Sequence, residues 1–334
     1  MILEGRLEVG LELMLDENGV IESIQPHSGI PEPYVLSAAF VNAHSHLEYR
    51  AMQGDIGASS YMDFIKEITE KKRAQNPEFI VGDCKAAAVE NRATGVGFIA
   101  EHSDRAGSAE AMSEQGLDGF LFKEVITIGG DPAERLAHAQ ESLDSSAGHI
   151  VGERYLNPHA PWTVDDQTLR KLAAESERTS IHVAESVHEN EYFVHGKGPI
   201  AAVCSEFGIE HPRANSVVDY IDSVGLMKPG SQLVHACDVS LSDVELMAER
   251  GVSVAHCPRS NEALNCPRAK VREMLDAGIP VGLGLDSVAS SGPIDFFAEM
   301  RACLDVSHAR GATVTPEVVW RMATVMGASS LGRK

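Results

Sequence analysis

Phe40-Val41-Asn42-Ala43-His44-Ser45-His46 is an apolar run that ends in two histidines separated by one residue. In an extended strand, residues two apart point to the same face, so both imidazoles project together and can chelate one ion. The pattern of an apolar run with a polar tip recurs downstream. Val96 to His102, Tyr155 to His159, Ile181 to Glu185, Leu233 to His235, Val252 to His256 and Val281 to Asp286 all follow it, and Gly119 to Val125 carries Lys123 and Glu124 near its end. Eight short buried strands separated by helix-length segments predict an α/β chain folded as a (β/α)8 TIM barrel. Such barrels carry their chemistry at the C-terminal strand ends, where these imidazoles and carboxylates read as a metal site.

The 334 residues suffice for one barrel and a small appendage. Residues 1–38 read as a small, reduced β segment, with Leu7 to Leu13 and Val20 to Ile24 as strands around a turn at Glu17-Asn18-Gly19. Pro31 and Pro33 form the linker, and residues 39–334 form the barrel. The start of the chain lacks the basic and apolar regions of a secretory signal, and no apolar stretch is long enough for a membrane span. The six cysteines form no Cys-x-x-Cys pair, which suits reduced, mostly buried thiols in a cytoplasmic protein. A formal charge of −21 argues against nucleic acid or an anionic membrane as partner and leaves a small-molecule substrate open, since charge at a site can oppose the net charge.

Several connections carry helix signals. Thr163-Val164-Asp165-Asp166 reads as a capping box opening a helix over 166–176. Ser240-Leu241-Ser242-Asp243 does the same for a helix ending near Arg250, with Gly251 as its stop. Gly278 closes a helix over 268–277, and Pro293 and Pro316 fit first helical turns. The segment from His46 to Glu78 is expected to form a lid or pocket wall.

Val41-Asn42-Ala43-His44-Ser45-His46-Leu47-Glu48, Pro158-His159-Ala160-Pro161-Trp162-Thr163-Val164, Ile181-His182-Val183-Ala184-Glu185-Ser186, Leu233-Val234-His235-Ala236, His256-Cys257-Pro258-Arg259-Ser260-Asn261 and Leu285-Asp286-Ser287-Val288-Ala289-Ser290 occur in that order. Together they resemble the amidohydrolase superfamily, in its branch of metal-dependent aminohydrolases. The resemblance implies one divalent ion, zinc before iron or manganese, held by His44, His46, His182 and Asp286. No lysine stands at the Asn157-Pro158-His159 tip, where two-metal members carry a carboxylated one. It makes Glu185, His235 and Asp286 catalytic, with metal-activated hydroxide attacking an amino-bearing ring carbon, Glu185 protonating the ring and ammonia leaving. His159 and Ser287 are expected substrate contacts, and Glu48, beside the two histidines, either reaches a substrate hydroxyl or makes a hydrogen bond behind the site.

Stretches such as His46-Leu47-Glu48-Tyr49, Tyr61-Met62-Asp63-Phe64-Ile65 and Gly196-Lys197-Gly198-Pro199 resemble aminodeoxyfutalosine deaminases and their adenosine-type relatives, implying a 6-aminopurine nucleoside as substrate. Deamination or dechlorination of another heterocycle (guanine, cytosine, a triazine) is the alternative. A metal-binding barrel without catalysis is disfavoured because the acid–base groups are all present.

Other residues read more blandly. His102 packs under the metal or caps a loop, and His256 either hydrogen-bonds in the site or holds its loop. Asn261 braces a loop, and Asp63 with Glu67 forms a solvated helix face. His27, His138, His149, His195, His211 and His308 are expected in solvent. The chain departs from the family at Ser291, where relatives carry Asn, and at Leu331-Gly332-Arg333-Lys334, where relatives continue with further strands. The short N-terminal sheet is therefore expected to expose an edge that a loop or a homodimer partner covers.

Overall fold

The computed structural model describes residues 1–3, 5–30, 32–149 and 152–333. Pro31, half of the expected linker, lies outside them. Four short strands come first: β1 (Ile2–Leu3), β2 (Arg6–Leu7), β3 (Leu11–Leu15) and β4 (Ile21–Pro26). They pair antiparallel as β1 with β2 and β3 with β4. The expected single strand from Leu7 to Leu13 is split, because Gly10 takes a left-handed φ of 69° between the two pieces. Asp16 closes the β3–β4 turn by accepting from the amides of Asn18 and Val20. This segment leaves Leu7, Val9, Leu15, Val20 and Ile21 exposed.

Eight parallel strands follow: β5 (Phe40–Ser45), β6 (Val96–Ser103), β7 (Asp118–Val125), β8 (Glu153–Pro158), β9 (Thr179–Val183), β10 (Ser231–His235), β11 (Ser253–His256) and β12 (Val281–Leu283). At least one helix separates each from the next, as right-handed parallel crossovers require. Alternation along the strands sorts two layers. Leu233 and Val254 pack in the large outer cluster with the helices, while their neighbours Val234 and Ala255 meet Ala43 and Cys257 in a small inner one.

The strands form two arcs, β5-β6-β7-β8 and β9-β10-β11-β12, joined at two seams. At the first seam a side chain replaces backbone pairing. Asn157 of β8 accepts from the Ser180 amide at 2.7 Å and donates to the Ser180 carbonyl at 2.6 Å. At the second seam Ser45 bridges Asp286; the Asp286 amide donates to the His44 carbonyl at 2.9 Å, and its own carbonyl accepts from His46. Gly284 permits this approach, since a Cβ there would lie 2.7 Å from His44 Cβ. One extra residue sits in β5 relative to β6 between Asn42 and Ser45. This bulge turns Asn42 toward Asn91 of the helix Pro77–Ala93, while His44 faces the barrel mouth.

Local expectations hold unevenly. Ser240 and Asp243 form the capping box of the helix Leu241–Arg250, and Gly251 ends it at φ 67°. The helix Asp166–Glu175 is capped by Asp165, because Thr163 is committed to His159 and Ala160. The helix before Gly278 is shorter than expected, Val271–Asp276. Pro316 opens its helix, but Pro293 precedes Asp295, the true cap of Phe296–Ala309. Among the described residues no helix is long and apolar enough to cross a membrane.

Replacing Asn157 by Ala strands the buried Ser180 amide and removes one of the two donors to the Ser180 carbonyl at the first seam. We expect a loss of roughly 2–4 kcal/mol in urea unfolding. A change below about 0.5 kcal/mol would show that the seam does not depend on this amide.

Candidate metal centre and active site

The C-terminal ends of β5, β9, β10 and β12 bring His44, His46, His182, His235 and Asp286 together. The Nε2 atoms of His44 and His46 lie 3.4 and 3.7 Å from Asp286 Oδ1, and the Nε2 atoms of His46 and His182 lie 3.4 Å apart. Hydrogen-bond partners place the protons. His46 Nδ1 faces the carbonyl of His102 at 3.1 Å, and His182 Nδ1 faces the carbonyl of His159 at 2.8 Å. A carbonyl only accepts, so both Nδ1 atoms are donors and both Nε2 atoms carry lone pairs. Two lone pairs 3.4 Å apart repel unless a cation lies between them. His44 Nε2 is buried with no hydrogen-bond partner among the described residues. Three bare imidazole nitrogens converging on one carboxylate fit a divalent ion.

Burial and neighbouring imidazoles hold His44 and His46 well below the ordinary histidine range, and burial with His235 pushes His182 down to about 4. These rings are therefore neutral and ready to ligate at pH 7. Burial works to raise the Asp286 carboxyl, yet it lies below its usual range, with the Ser260 hydroxyl among the groups that lower it, and it stays ionised at neutral pH.

Backbone strain aims these groups. Ala184, His235, Ala236 and Asp286 take left-handed φ values of 52°, 70°, 46° and 55°. Non-glycine residues adopt this region at a cost of about 1–3 kcal/mol each. Buried hydrogen bonds hold the strained turns. The Glu189 carboxylate accepts from the amides of Ala184 and Glu185 at 2.9 and 2.7 Å, fixing the loop that carries the Glu185 side chain. Burial, then Asp286 and Glu189, raise the Glu185 carboxyl well above its usual range, the direction that suits a proton donor. Its Oε1 lies 3.7 Å from His235 Nε2. Asn261 Oδ1 accepts from His235 Nδ1 at 2.8 Å, leaving Nε2 free to take a proton. Asn261 thus braces a histidine rather than merely a loop.

A cleft of about 560 Å³ opens above the centre. His159 and Ser287 lie in its wall. Thr163 Oγ1 engages His159 Nδ1, so Nε2 is the ring nitrogen left for a ligand. Of its two expected roles, Glu48 takes the hydrogen bond behind the site, which corrects the substrate contact. It is fully buried behind the wall, where Oε2 accepts from the Ser103 hydroxyl and the Arg105 amide. The local reason is that Leu47–Met52 coils into a 3-10 turn directly after His46, rotating Glu48 away from the mouth.

Three other expectations also change. His211 is buried, with its ring between the Tyr192 hydroxyl and the Val164 carbonyl. Glu67 accepts from the amides of Gly57 and Ala58 and pins the first loop. His256 is buried with neither ring nitrogen partnered among the described residues. The expected wall segment is present, since Tyr61, Phe64, Ile65, Ile68 and Lys72 of the helix Tyr61–Ala74 line the cleft. Sequence reading missed Arg73, Arg105 and Arg135 at the same cleft, because they come from three separate connections.

We expect the protein to bind one equivalent of zinc, measured by chelator competition. His182→Ala or Asp286→Ala should weaken binding beyond the ten- to hundredfold that outer partners cost. Free zinc at a hundred times its Kd should add about 2.7 kcal/mol to unfolding stability. Equal affinity of the variants and the parent would remove these residues from the site.

Residues 35–334 match the model of the Amidohydrolase family. The chain is 31% identical over 318 residues to the 5-methylthioadenosine/S-adenosylhomocysteine deaminase of Thermococcus onnurineus, covering 90% of this chain and 70% of that protein. Among solved structures it shares its fold with a zinc-bound adenosine deaminase from Xanthomonas campestris (TM-score 0.75, 24% identity, 88% of this chain and 67% of that one). It also shares its fold with the Helicobacter pylori aminofutalosine deaminase in complex with methylthio-coformycin (TM-score 0.74, 22% identity, 88% and 74%). The chain belongs to the amidohydrolase family, hydrolases acting on C–N bonds.

Proposed function

We propose that the protein is a zinc-dependent deaminase of a 6-aminopurine nucleoside whose 5′ substituent is apolar and ends in an anion, aminodeoxyfutalosine being the leading candidate. One observation carries this reading. A single cleft is lined by His46, His182 and Asp286 of the centre and also by Ile126, Ile128, Val203 and Phe207 and by Arg73, Arg105 and Arg135. The lining carboxylates are Asp104, Glu185 and Asp286, and Asp104 is already paired with Lys72 at 2.9 Å. Arg73 and Arg135 form no ion pair among the described residues, while the Arg105 guanidinium is held by Gln75 and the Lys72 carbonyl and acts on Asp104. The two unpaired guanidiniums favour an anionic group there. The missing free carboxylate disfavours a zwitterionic amino-acid tail, which would need a partner for its ammonium. The names of the relatives support an adenosine-type base.

When bound, a divalent ion at His44, His46, His182 and Asp286 lowers the pKa of water toward neutrality. The chain supplies the proton chemistry. His235 Nε2 and the ionised Asp286 accept the proton of the attacking water. Glu185 donates a proton to the ring nitrogen as the C–O bond forms and the C=N π bond breaks. As a carboxylate it then takes the proton of the new hydroxyl and passes it to the amine, which leaves as ammonia while the C–N bond breaks and the C=O forms. The proton first taken from water returns to Glu185. His159 Nε2 faces the cleft as a polar contact for the substrate.

Ammonia release against a panel of aminodeoxyfutalosine, S-adenosylhomocysteine, 5′-methylthioadenosine, adenosine and guanine tests this reading. We expect the highest kcat/KM for the anionic nucleoside without an ammonium. Arg135→Ala should raise KM for that substrate at least about tenfold and leave adenosine unaffected. Glu185→Gln should keep the metal and lose about 10²–10⁴-fold in kcat. Preference for guanine, or full turnover by Glu185→Gln, would overturn the assignment.

A further inference from the structure

His102, at the end of β6, touches neither the cleft nor the converging carboxylate, yet its ring lies directly beneath His44. The two Nδ1 atoms are 3.1 Å apart. On the far side, His102 Nε2 lies 3.2 Å from the carbonyl of Ser180 in β9. That carbonyl is fixed from a second direction by Asn157. All of these groups are fully buried, so no solvent can substitute for any of them.

We propose that His102 is a positioning residue that sets the tautomer of His44. Pairing constraints carry the argument. Ser180 O only accepts, so His102 Nε2 carries the proton of a neutral ring. His102 Nδ1 is then a lone pair and accepts from His44 Nδ1–H. His44 is left with a bare Nε2, the nitrogen that points at Asp286. In the opposite arrangement a proton on His102 Nδ1 would be shared with Ala100 O, 3.3 Å away on its own strand. Nε2 would then set a lone pair against Ser180 O. His44 would have to carry its proton on Nε2, where the ion belongs. Each arrangement sets one ring lone pair against a carbonyl, Nδ1 against Ala100 O at 3.3 Å in the first and Nε2 against Ser180 O at 3.2 Å in the second. The first is the one that gives His102 Nε2–H the shorter contact and leaves His44 Nε2 bare for the ion.

The other two imidazoles of the centre donate Nδ1–H to backbone carbonyls, which have one possible role. His44 instead depends on a side chain that can itself hold its proton on either nitrogen. The relay His44–His102–Ser180 removes that freedom. It also ties β5, β6 and β9 together below the centre, across the first seam. Metal-binding histidines are tuned by the partner of their second nitrogen, and losing that partner typically costs ten- to hundredfold in affinity.

This inference rests on the metal reading of the site and not on the substrate. The test uses the full chain, first metal-free and then with zinc alone. Long-range proton–nitrogen NMR of the imidazoles in the zinc-free protein reports the tautomers directly. We expect His44 as the Nδ1–H form and His102 as the Nε2–H form. His102→Phe keeps a ring against Phe122, which already stacks on His102. It should shift His44 toward the Nε2–H form and weaken zinc ten- to hundredfold in chelator competition. His102→Asn returns an acceptor near the Nδ1 position and should recover most of that loss, which a merely space-filling role would not allow. His44 as the Nε2–H form in the parent protein overturns the proposal, as does zinc binding by His102→Phe within twofold of the parent. If the parent takes up no zinc, the metal reading fails and the proposal fails with it. Zinc uptake with no deaminase activity leaves the proposal standing and removes only the substrate assignment.

Discussion

The Asp286 peptide is held between the two histidine-bearing peptides of β5: its amide donates to His44 O and its carbonyl accepts from His46 N. The contact that joins the first and last barrel strands is therefore also the contact that sets one carboxylate between two imidazoles. Barrel closure and site assembly cannot be separated here. Gly284 lets β12 come this close, the bulge in β5 turns His44 to the mouth, and the left-handed φ of Asp286 aims its carboxylate. The strain is stored where the chemistry is placed, as is common at functional sites.

Burial decides the charge states around this seam. Imidazoles sealed from water stay neutral, which suits them as ligands, while burial raises the Glu185 carboxyl, which is the direction that suits an acid. One environment thus acts in opposite senses on a base and an acid, and both outcomes serve hydrolytic removal of an amino group. Asp286, held below the usual carboxylate range despite its burial, stays ionised among the imidazoles. The charge of the cleft also runs against that of the molecule. A chain of formal charge −21 presents three arginines in the wall of its cleft. Net charge governs long-range behaviour, whereas recognition depends on what lies within a few ångströms.

The sequence by itself determined the strand–helix alternation and which strand tips carry chemistry. His44-Ser45-His46, His235 and Asp286 were legible because each ends an apolar run, a local property, and His182 because its motif takes its place in the order that resembles the family. The capping box at Ser240 and Asp243 was legible for the same reason. Tertiary structure alone decided everything that depends on distant residues meeting. Glu48 looked like a site residue from its place beside His46, but the 3-10 turn rotates it inward. His211 looked solvated, but Tyr192 and the Val164 carbonyl enclose it. Arg73, Arg105 and Arg135 lie on three connections with no shared motif, so only folding makes them one surface. The proton on His44 depends on a carbonyl 136 residues away in the chain, at Ser180, reached through His102. Residue type and periodicity fix which groups can act; which atom of each group faces the site is set by hydrogen-bond partners that local sequence does not contain.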